Sequence, residues 1–472
     1  MAEYRVEKDF LGELKVPKDA YWGVQTQRAI ENFPISGIRF GRRFIHALGL
    51  IKKASAETNV ELGLLDSKLG KAIVKAADEV MDGTLDEQFP LDVFQTGSGT
   101  STNMNANEVI ANRANEILGV KLGEKGPVHP NDHVNMGQSS NDVIPTAIHV
   151  ASLLAIDQDL LPALRELEET LLKKSKEFDP VVKAGRTHLM DATPIRLGQE
   201  FSGYVSQVDH GIRRVSAARG SLAELALGGT AVGTGINAHP DFPGRVVEKI
   251  TSATPAKFRV AENHFEAQAA QDAIVEASGA VRTVAVSMMK IANDLRWMSS
   301  GPHTGLREIN LPAVQPGSSI MPGKVNPVIP EAVMQVAATV IGNDVAIAVA
   351  NSHSNLDLCT MMPMMYQRLQ QNSDLLANAA RVLARKCVDG ITPNVEVMLR
   401  YAESSPAIAT KLNTIIGYEK AAEIAKESGR TGKTVKQIVV EKGILSAEDA
   451  ERVLDPKQLT EPSKDLLGGG GG

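Results

Sequence analysis

The sequence is poor in cysteine and in aromatic residues, and each scarcity excludes a class of protein. Two of the 472 residues are cysteines, Cys359 and Cys387. This number excludes a disulfide-built scaffold, and it is a poor ligand set for an iron–sulfur cluster, which several thiolates normally hold. A chain of this length buries a large core without disulfides, so we expect both thiols to be reduced and buried. Aromatic residues make up only 4% of the chain, which favours packed helices over sheets.

Long basic runs and uninterrupted apolar runs are also missing. The formal net charge is -6, and no basic cluster predicts a nucleic-acid partner. The most apolar window, residues 333–350, is interrupted by Gln335, Asn343 and Asp344, so we expect no segment that spans a membrane. The N-terminal residues are too charged for a signal peptide. We therefore expect a cytoplasmic protein with neither nucleic acid nor a membrane as a partner.

Apolar residues recur at three- and four-residue spacings over long stretches, which is the pattern of amphipathic helices. The clearest stripe comprises Ile274, Ala277, Val281, Val284, Ala285, Met288, Ile291, Ala292 and Leu295. Two further stripes are Leu153, Leu154, Leu160, Leu161, Leu164, Leu167 and Leu171, and Leu375, Leu376, Ala379, Val382, Leu383 and Cys387. Pro162 falls inside the leucine stripe and predicts a kink there. Helices of this length and regularity indicate a helical bundle.

The patterns change twice along the chain and predict three domains. Short helical stretches mixed with loops come first, long helices follow, and short elements with clear caps come last. In the last part, Thr434–Gln437 and Ser446–Asp449 both match the capping box of a helix N-terminus. The predicted ranges are 1–140 for an N-terminal domain, 141–393 for a central helical bundle domain, 394–464 for a small C-terminal helical domain and 465–472 for a disordered, glycine-rich tail.

The segment Gly317–Pro327 carries the densest set of polar groups in the chain. It places the adjacent hydroxyls of Ser318 and Ser319 a few residues before Lys324, and its glycines and prolines argue against regular structure. Its two closing residues, an asparagine and a proline, suit the N-cap and the first position of a following helix. A hydroxyl-rich loop that leads into a helix N-terminus favours anion binding, and the alternative is an ordinary surface loop.

Two segments in the first third of the chain are also rich in polar residues. Thr96–Asn103 departs from the dinucleotide-binding fingerprint because Thr102 stands where the third glycine belongs. It can present donors to a carboxylate or form a plain serine- and threonine-rich turn. His129–Asn141 contains two histidines four residues apart and an acid, but Pro130 argues against a helix and no third metal ligand is evident.

Two later segments complete the set. Gly185–Asp191 surrounds a single histidine, His188, with polar residues. An isolated histidine is more often structural than catalytic, although its usual pKa range suits proton transfer. Leu227–Asn237 is rich in glycine but has Thr234 where a nucleotide-binding loop needs lysine. We therefore predict close backbone packing at that segment and no nucleotide site.

The order Gly-Ser-Ser-x-Met-Pro-x-Lys-x-Asn in the loop Gly317–Asn326 resembles the signature of the fumarase/aspartase superfamily. The resemblance extends from about Arg5 to Leu459 and is closest to the metal-independent class II fumarases. It implies a mainly α fold of three domains with a central bundle of long helices. It also implies a lyase that adds water reversibly to fumarate to give L-malate, with no metal and no cofactor. The expected assembly is a homotetramer whose active sites combine segments from three subunits.

The resemblance further implies roles for residues at matching positions. Ser318 would be the base that removes the carbon-bound proton, with His188 and Glu331 as a paired partner system and Lys324 as a catalytic donor. In an older alternative, His188 activated by Glu331 acts as the base through water. The implied substrate-binding residues are Ser98, Thr100, Asn103, Ser139, Ser140, Asn141, Thr187, Ser319 and Asn326. The residues His129, Asn131 and Asp132 match a secondary anion site of the family.

Two alternatives to a fumarase stay open within the same resemblance. An aspartate ammonia-lyase would release ammonia from a similar substrate, and a non-catalytic structural member would keep the fold alone. The residues that favour fumarase are Asp132, Ser140, His188, Gly228, Gly229, Thr230, Phe265, Glu266 and Ala267. One segment, Ser354–Thr360, departs from the family pattern, with Asp357 for a glutamate and Cys359 for an amide. If this segment lines the tetramer core or the rear wall of the site, we expect a change in substrate preference or assembly.

Overall fold

A computed structural model describes residues 3–462 of the chain and confirms the expected mainly α-helical fold. The helices are α1 (Val24–Asn32), α2 (Arg42–Glu61), α3 (Ser67–Asp82), α4 (Thr100–Ile117), α5 (Ser140–Ala155), α6 (Leu161–Glu177), α7 (Leu197–Leu222), α8 (Phe242–Ser252), α9 (His264–Ala269), α10 (Asp272–Met298), α11 (Val328–Ser352), α12 (Met362–Lys386), α13 (Val395–Ser404), α14 (Asn413–Ile416), α15 (Tyr418–Thr431), α16 (Val435–Glu441) and α17 (Ala447–Val453).

The strands of the described chain are short and lie in two-stranded sheets. They are β1 (Tyr4–Asp9), β2 (Gly12–Pro17), β3 (Val182–Thr187), β4 (Met190–Arg196), β5 (Glu224–Leu225), β6 (Arg259–Val260), β7 (Ile309–Asn310) and β8 (Thr392–Pro393). Three pairs, β1–β2, β3–β4 and β7–β8, are antiparallel, and β5–β6 is parallel. The hairpin β3–β4 matters most here because it carries two of the predicted site residues.

The described chain divides into two compact units, each assembled from three separate stretches of sequence. Within residues 3–462, the first unit comprises the residues up to Pro162 together with Arg213–Ala285 and Ala338–Ala377. The second comprises Ala163–Ile212, Val286–Ala337 and the described residues from Asn378 onward. The breaks between stretches fall inside five helices, α6, α7, α10, α11 and α12. The three-domain division stays a prediction, and the predicted tail at 465–472 lies outside the described residues.

Helix α10 confirms the clearest apolar stripe of the sequence. All nine residues of that stripe, from Ile274 to Leu295, are buried, and none is more than 2% exposed. Positions spaced by three and four residues lie on one face of a helix, so the stripe becomes a continuous buried strip. Substituting a large member of the strip with alanine costs about 2–5 kcal/mol in comparable cores.

A π-helical turn lies just before Pro162, where the sequence predicts a kink, and the kink itself stays a prediction. Residues Ile156–Leu160 form this turn between α5 and α6, and Pro162 is the second residue of α6. A proline inside a helix removes a backbone donor, and its ring clashes with the carbonyl four residues earlier. A π turn just before the proline lets the backbone accommodate this conflict, so the two helices continue one after the other.

The sequence predicts a capping box at the start of two C-terminal helices. The structure has the complete box at α16 and a different arrangement at α17. Thr434 and Gln437 form a complete capping box at the start of α16. At α17, Ser446 accepts a hydrogen bond from the backbone N–H of Asp449, but its hydroxyl donates to the Asp449 carboxylate (2.9 Å). Residues from Ile408 to Leu454 share a common apolar core, which fixes these short helices against one another.

Two helical stretches are long and apolar enough to pass a composition test for membrane spans. In the stretch Ser140–Glu177, the most apolar window has a mean hydropathy of 1.3, and 78% of that window is buried in the protein. In helix α11, the most apolar window has a mean hydropathy of 1.6, but only 28% of it is buried. Its polar Asp344 is tied to Ser278 (2.7 Å) and Arg282 (2.8 Å). Helix α11 therefore has wide apolar faces that one copy of the chain leaves uncovered.

Both cysteines are free and buried, as the composition predicts. Burial raises the pKa of the Cys387 thiol to about 12, so the thiolate is disfavoured and the residue behaves as a small apolar side chain.

Candidate active site

The N-terminus of α5 presents three of the predicted substrate-binding residues. Ser139 is the N-cap, and its Oγ accepts a hydrogen bond from the backbone N–H of Asn141 (3.2 Å). The N–H of Ser139 donates to Oδ1 of Asp142 (2.9 Å), which completes a capping box. Ser140, between them, is 8% exposed. The positive end of the helix dipole makes this turn a favourable place for a carboxylate.

Asp142 connects this turn to the glycine-rich segment of the sequence. Its Oδ2 accepts hydrogen bonds from the backbone N–H groups of Gly228 and Thr230, both at 2.9 Å. Burial raises the pKa of Asp142 to about 6, while the backbone donors act in the opposite direction. The side-chain amide of Asn141 donates to the carbonyl of Ala231 (2.7 Å). Asp142 is not among the residues predicted for the site, although its position in a Ser-x-x-Asp capping box is a signal that identifies it.

The hydroxyl-rich segment before α4 contributes to the same unit. The hydroxyls of Ser98 and Thr100 lie 2.8 Å apart. Asn103 is buried, and its amide nitrogen donates to the Ser140 hydroxyl (3.1 Å) and to Oδ1 of Asn135 (3.2 Å). Both amide hydrogens of Asn103 are therefore already used within the chain. The predicted contact of Asn103 with substrate stays a prediction, and its observed contact is with Ser140.

The segment that departs from the family pattern packs against this hydroxyl-rich region. A Cβ atom at Gly97 would lie 1.7 Å from the carbonyl oxygen of Thr360, so only glycine fits. The N–H of Met362 donates to the Gly97 carbonyl (3.1 Å), and the N–H of Cys359 donates to the Gln268 carbonyl (3.1 Å). Substitutions in this segment can therefore shift the backbone directly before Ser98.

The predicted secondary anion residues lie in a π-helical turn, Pro130–Val134, where the sequence analysis expected no helix. That expectation was wrong because a proline in the first turn of a helix loses no hydrogen bond. Nδ1 of His129 accepts hydrogen bonds from the backbone N–H groups of Asn131 (3.3 Å) and Asp132 (3.2 Å). All three side chains are exposed, and their anion-binding role stays a prediction.

In the part of the chain that the structure describes, no group of three or more His, Cys, Asp or Glu residues could hold a metal ion.

The exposed tip of the hairpin β3–β4 carries Thr187 and His188. Thr187 pairs with Met190, so His188 and Leu189 form a two-residue turn with φ angles of 58° and 61°. Left-handed backbone of this kind normally selects glycine or asparagine. The presence of two bulkier residues is a local strain of the type that often accompanies functional positions.

A buried ion cluster anchors the strand that leads to this tip. Glu308 is fully buried and binds Nη1 of Arg186 (2.8 Å) and Nζ of Lys183 (3.1 Å). Arg186 is directly followed by Thr187 in β3. The cluster therefore fixes the base of the hairpin while the tip stays accessible.

The loop Gly317–Asn326 is closed at its base by its own ends. The N–H of Gly317 donates to the Lys324 carbonyl (2.7 Å), and the amide of Asn326 donates to the Gly317 carbonyl (2.6 Å). Asn326, predicted as an N-cap, thus ties the loop together, and α11 begins at Val328. Asn326 does not cap the helix as predicted, because its side-chain amide is bonded to the Gly317 carbonyl instead.

Within this loop, the Ser318 hydroxyl accepts hydrogen bonds from the N–H groups of Ile320 (3.3 Å) and Met321 (3.0 Å). This serine turn fixes the oxygen, whose own hydrogen stays available for another partner. The next residue, Ser319, is exposed.

A groove of about 740 Å³ lies beside the loop and is lined by Lys324, Asn326 and Glu331. Two cations that the sequence analysis did not select, Arg296 and Arg307, also line it. Cations and an amide in one groove favour a carboxylate ligand. No local sequence pattern distinguishes these two arginines from ordinary surface residues.

Of the predicted catalytic residues, the structure brings Lys324 and Glu331 to one groove but does not join His188 to Glu331. No hydrogen bond or ion pair links these two side chains within the described chain. The predicted substrate residues Ser139, Ser140, Asn141 and Asn103 do form one connected group. The chain alone therefore holds parts of a site, and the pairing of His188 with Glu331 stays a prediction.

Known proteins match almost the whole chain. A family model described as lyase matches residues 12–342, and one described as the fumarase C C-terminus matches residues 408–461. A class II fumarate hydratase of Halobacterium salinarum is 59% identical over 458 residues, covering 97% of each chain. One from Mycobacterium tuberculosis is 55% identical over 461 residues, covering 96% of this chain and 95% of that protein.

Solved structures agree with the sequence comparisons. A class II fumarase from Schistosoma mansoni has a TM-score of 0.95 at 38% identity, covering 97% of this chain and 99% of that chain. A fumarate lyase:delta crystallin from Brucella melitensis has a TM-score of 0.94 at 46% identity, covering 98% and 100% of the two chains. With its fold, its signature loop and these relatives in agreement, the chain belongs to the fumarase/aspartase superfamily of lyases, within the class II fumarases.

Proposed function

We propose that this protein is a fumarate hydratase that adds water reversibly to fumarate and forms L-malate. The observation that carries the proposal is identity of 51–59% over nearly the full length to proteins named class II fumarate hydratase. The cations Arg296 and Lys324 and the amide Asn326 line one groove and support it, because a dicarboxylate needs cationic and amide donors.

The reaction requires a base, an acid and fixed donors for a carboxylate that gains charge. Removal of the carbon-bound proton from malate leaves a carbanion whose charge spreads onto the adjacent carboxylate. We assign the base role to Ser318, and Lys324 and Asn326 to stabilising the carboxylate that gains charge. Such donors contribute about 3 kcal/mol each in comparable oxyanion sites. His188 with Glu331 would handle the proton of the departing hydroxyl.

We further propose that the active site is shared between copies of the chain in a homotetramer. His188 and Glu331 are not linked within one chain, although the role assigned to them requires contact. Helix α11 offers apolar faces for assembly, since Val345 is 57% exposed and Val349 is 51% exposed. Apolar surface of this kind marks protein–protein contacts. The cytoplasmic location and the secondary anion site around His129 remain predictions beside this proposal.

Activity is tested by the ultraviolet absorbance of fumarate, with L-malate and L-aspartate offered in separate assays. We expect absorbance to rise with malate alone and to be lost in Ser318→Ala. A rise with aspartate alone would indicate an ammonia-lyase and would direct attention to Asp357 and Cys359. No rise with either substrate would favour a structural member of the superfamily.

Shared sites are tested by mixing two inactive variants, His188→Ala and Glu331→Gln, under conditions that allow subunits to exchange. If one site combines the two residues from different chains, some hybrid sites contain both native residues and activity returns. Light scattering should give about four times the 50.5 kDa chain mass. A monomeric mass, or mixtures that stay inactive despite exchange, would contradict the shared site.

A further inference from the structure

Lys52, in α2, is a buried lysine that the proposed reaction does not use. Its side chain is fully buried, and Nζ donates to Oδ1 of Asn135 (3.1 Å) and Oε1 of Gln138 (2.9 Å). Burial of an ammonium group costs several kcal/mol in real proteins, which an apolar residue at this position would avoid. The site therefore retains a costly group whose partners are neutral amides.

Asn135 connects Lys52 by hydrogen bonds to Asn103, a predicted substrate-binding residue. Its Oδ1 accepts hydrogen bonds from Lys52, from Nδ2 of Asn107 (3.2 Å) and from Nδ2 of Asn103 (3.2 Å). The second amide hydrogen of Asn103 points to the Ser140 hydroxyl at 3.1 Å. A continuous path of hydrogen bonds thus runs from the buried ammonium to Ser140.

The direction of hydrogen bonding along this path follows from the chemistry of its first member. A lysine ammonium only donates, whereas an asparagine side chain can present either its oxygen or its nitrogen. The ammonium therefore requires the oxygen of Asn135, and that oxygen requires the nitrogen of Asn103. A hydrogen bond from Asn135 Nδ2 to the Gln138 carbonyl (3.1 Å) supports the same orientation. Ser140 is then an acceptor towards Asn103.

Because Ser140 accepts from Asn103, its own hydrogen is left to donate elsewhere. A hydroxyl that must donate outward suits a carboxylate ligand, which can only accept. In the opposite orientation, the side-chain oxygen of Asn103 would face Ser140. Ser140 would then donate its hydroxyl hydrogen to Asn103 and have none left for a ligand. Donors fixed before the ligand arrives need no reorganisation on binding.

We propose that Lys52 is a positioning residue that sets the polarity of the Asn135–Asn103–Ser140 path, so that the Ser140 hydroxyl donates to a substrate carboxylate. The inference rests on the proposed function, which supplies a dicarboxylate substrate. The proposal adds Lys52, which has no assigned contact with substrate, as the residue that determines which partner donates in the hydrogen bond between Asn103 and Ser140.

A double-mutant cycle in the full-length protein, assayed below pH 7 so that Lys52 holds its proton, tests this role. Lys52→Met keeps a side chain of similar length without donors, and Ser140→Ala removes the hydroxyl. We expect each change alone to raise KM for L-malate by about tenfold, with a smaller change in kcat. If Lys52 acts through Ser140, the double variant keeps the KM of Ser140→Ala alone. Multiplied effects, or a KM unchanged by Lys52→Met, would overturn the proposal.

Two further variants separate positioning from a general loss of stability. Lys52→Arg keeps a donor-only cation and should return KM close to that of the parent. Lys174 is another buried lysine, whose Nζ donates to the Ile391 carbonyl (3.0 Å) within the second compact unit. Lys174→Met should lower the melting temperature and leave KM unchanged. A KM raised equally in both methionine variants would indicate a structural role and overturn the proposal.

Binding of succinate, measured by calorimetry, repeats the cycle without turnover. A parent protein that binds succinate but releases no fumarate would contradict the proposed function and still report on Lys52 through the dissociation constants of the variants. A parent that binds no dicarboxylate would overturn both proposals.

Discussion

Two regions predicted to act on the same substrate are built in opposite ways. The turn Ser139–Asn141 is held by a buried carboxylate, a buried amide and a neighbouring loop, so its donors are fixed by groups distant in sequence. The loop Gly317–Asn326 is closed by bonds between its own ends, and most of its side chains face solvent. Ile320, for example, is 84% exposed.

This difference suggests a division of tasks. A turn fixed by buried polar groups is suited to recognition, because its donors pay no ordering cost when a carboxylate binds. A loop whose contacts are local is suited to steps in which a side chain must meet the substrate after binding. Changes in the turn should therefore affect binding and stability, whereas changes in the loop should affect turnover.

The largest expected effect comes from comparing one serine in each region. Ser318→Ala in the loop removes the proposed base and should lower kcat by roughly a thousandfold with little change in KM. Ser140→Ala in the turn removes one donor and should act mainly on KM, by about tenfold. Steady-state kinetics with L-malate measure both. If Ser140→Ala lowered kcat as much as Ser318→Ala, the proposed division between binding by the turn and turnover by the loop would be wrong.

A glycine associated with each region gives the next test. Gly228, bonded to Asp142, has φ +104°, and a Cβ there would lie 2.3 Å from the ring of Pro243. Gly323, in the loop, has φ +76° with open space around it. Gly228→Ala should lower the free energy of unfolding by roughly 3 kcal/mol through overlap and strain, and Gly323→Ala by roughly 1 kcal/mol through strain alone. Equal losses in chemical denaturation would contradict the comparison.

Two buried carboxylates of the first unit provide a matched pair. Asp142 receives backbone N–H groups at the proposed site, and Glu108 receives those of Gly23, Gln25 and Thr26 at the start of α1. An amide in place of either carboxylate turns one acceptor into a donor that faces other donors, which costs about 1–3 kcal/mol.

Asp142→Asn and Glu108→Gln should therefore lose similar stability in denaturant titrations. Only Asp142→Asn should also raise KM for malate, because Asp142 accepts a hydrogen bond from the N–H of Ser139 and thereby holds the turn. If Glu108→Gln raised KM equally, the kinetic effect would follow general destabilisation instead of local positioning.

The sequence predicts those features that depend on local pattern. The stripe on α10 and the capping box at Thr434 follow from spacing along one helix, and the structure confirms both. Pro162 predicts a kink in its helix, but the sequence pattern does not specify that a π-helical turn precedes the proline.

Features that depend on distant partners escape prediction. Lys52 occurs in a helix at a position that local pattern treats as solvent-exposed, and only the packed chain reveals amide partners more than eighty residues away. The two arginines of the groove, Arg296 and Arg307, have no signature of their own. Conversely, α11 is apolar over most of its length without a single apolar stripe, so its pattern indicates burial but does not say which faces the chain itself covers.

The most gradual expected effect is spread over several pH units and concerns how the buried charges behind the turn change the free energy of unfolding with pH. Burial lowers the pKa of Lys52 to about 7 from its usual 10.5, against an opposing influence of Asp142. Between these values the unfolded chain binds more protons than the folded chain, so stability rises with pH in this window. Below about pH 7 both states hold the proton, and the cost of the buried charge is constant.

The free energy of unfolding of the parent, relative to Lys52→Met, should therefore increase between pH 7 and 10.5 by at most about 1.4 kcal/mol per pH unit. Asp142 has the opposite sign, since burial raises its pKa to about 6. The proton-linked part of its stabilisation is complete below pH 3.8 and is lost as the pH rises through 6. Urea titrations across both ranges measure the two slopes. A flat difference above pH 7 would show that Lys52 keeps its proton when buried, and the turn would then retain its donor polarity at alkaline pH.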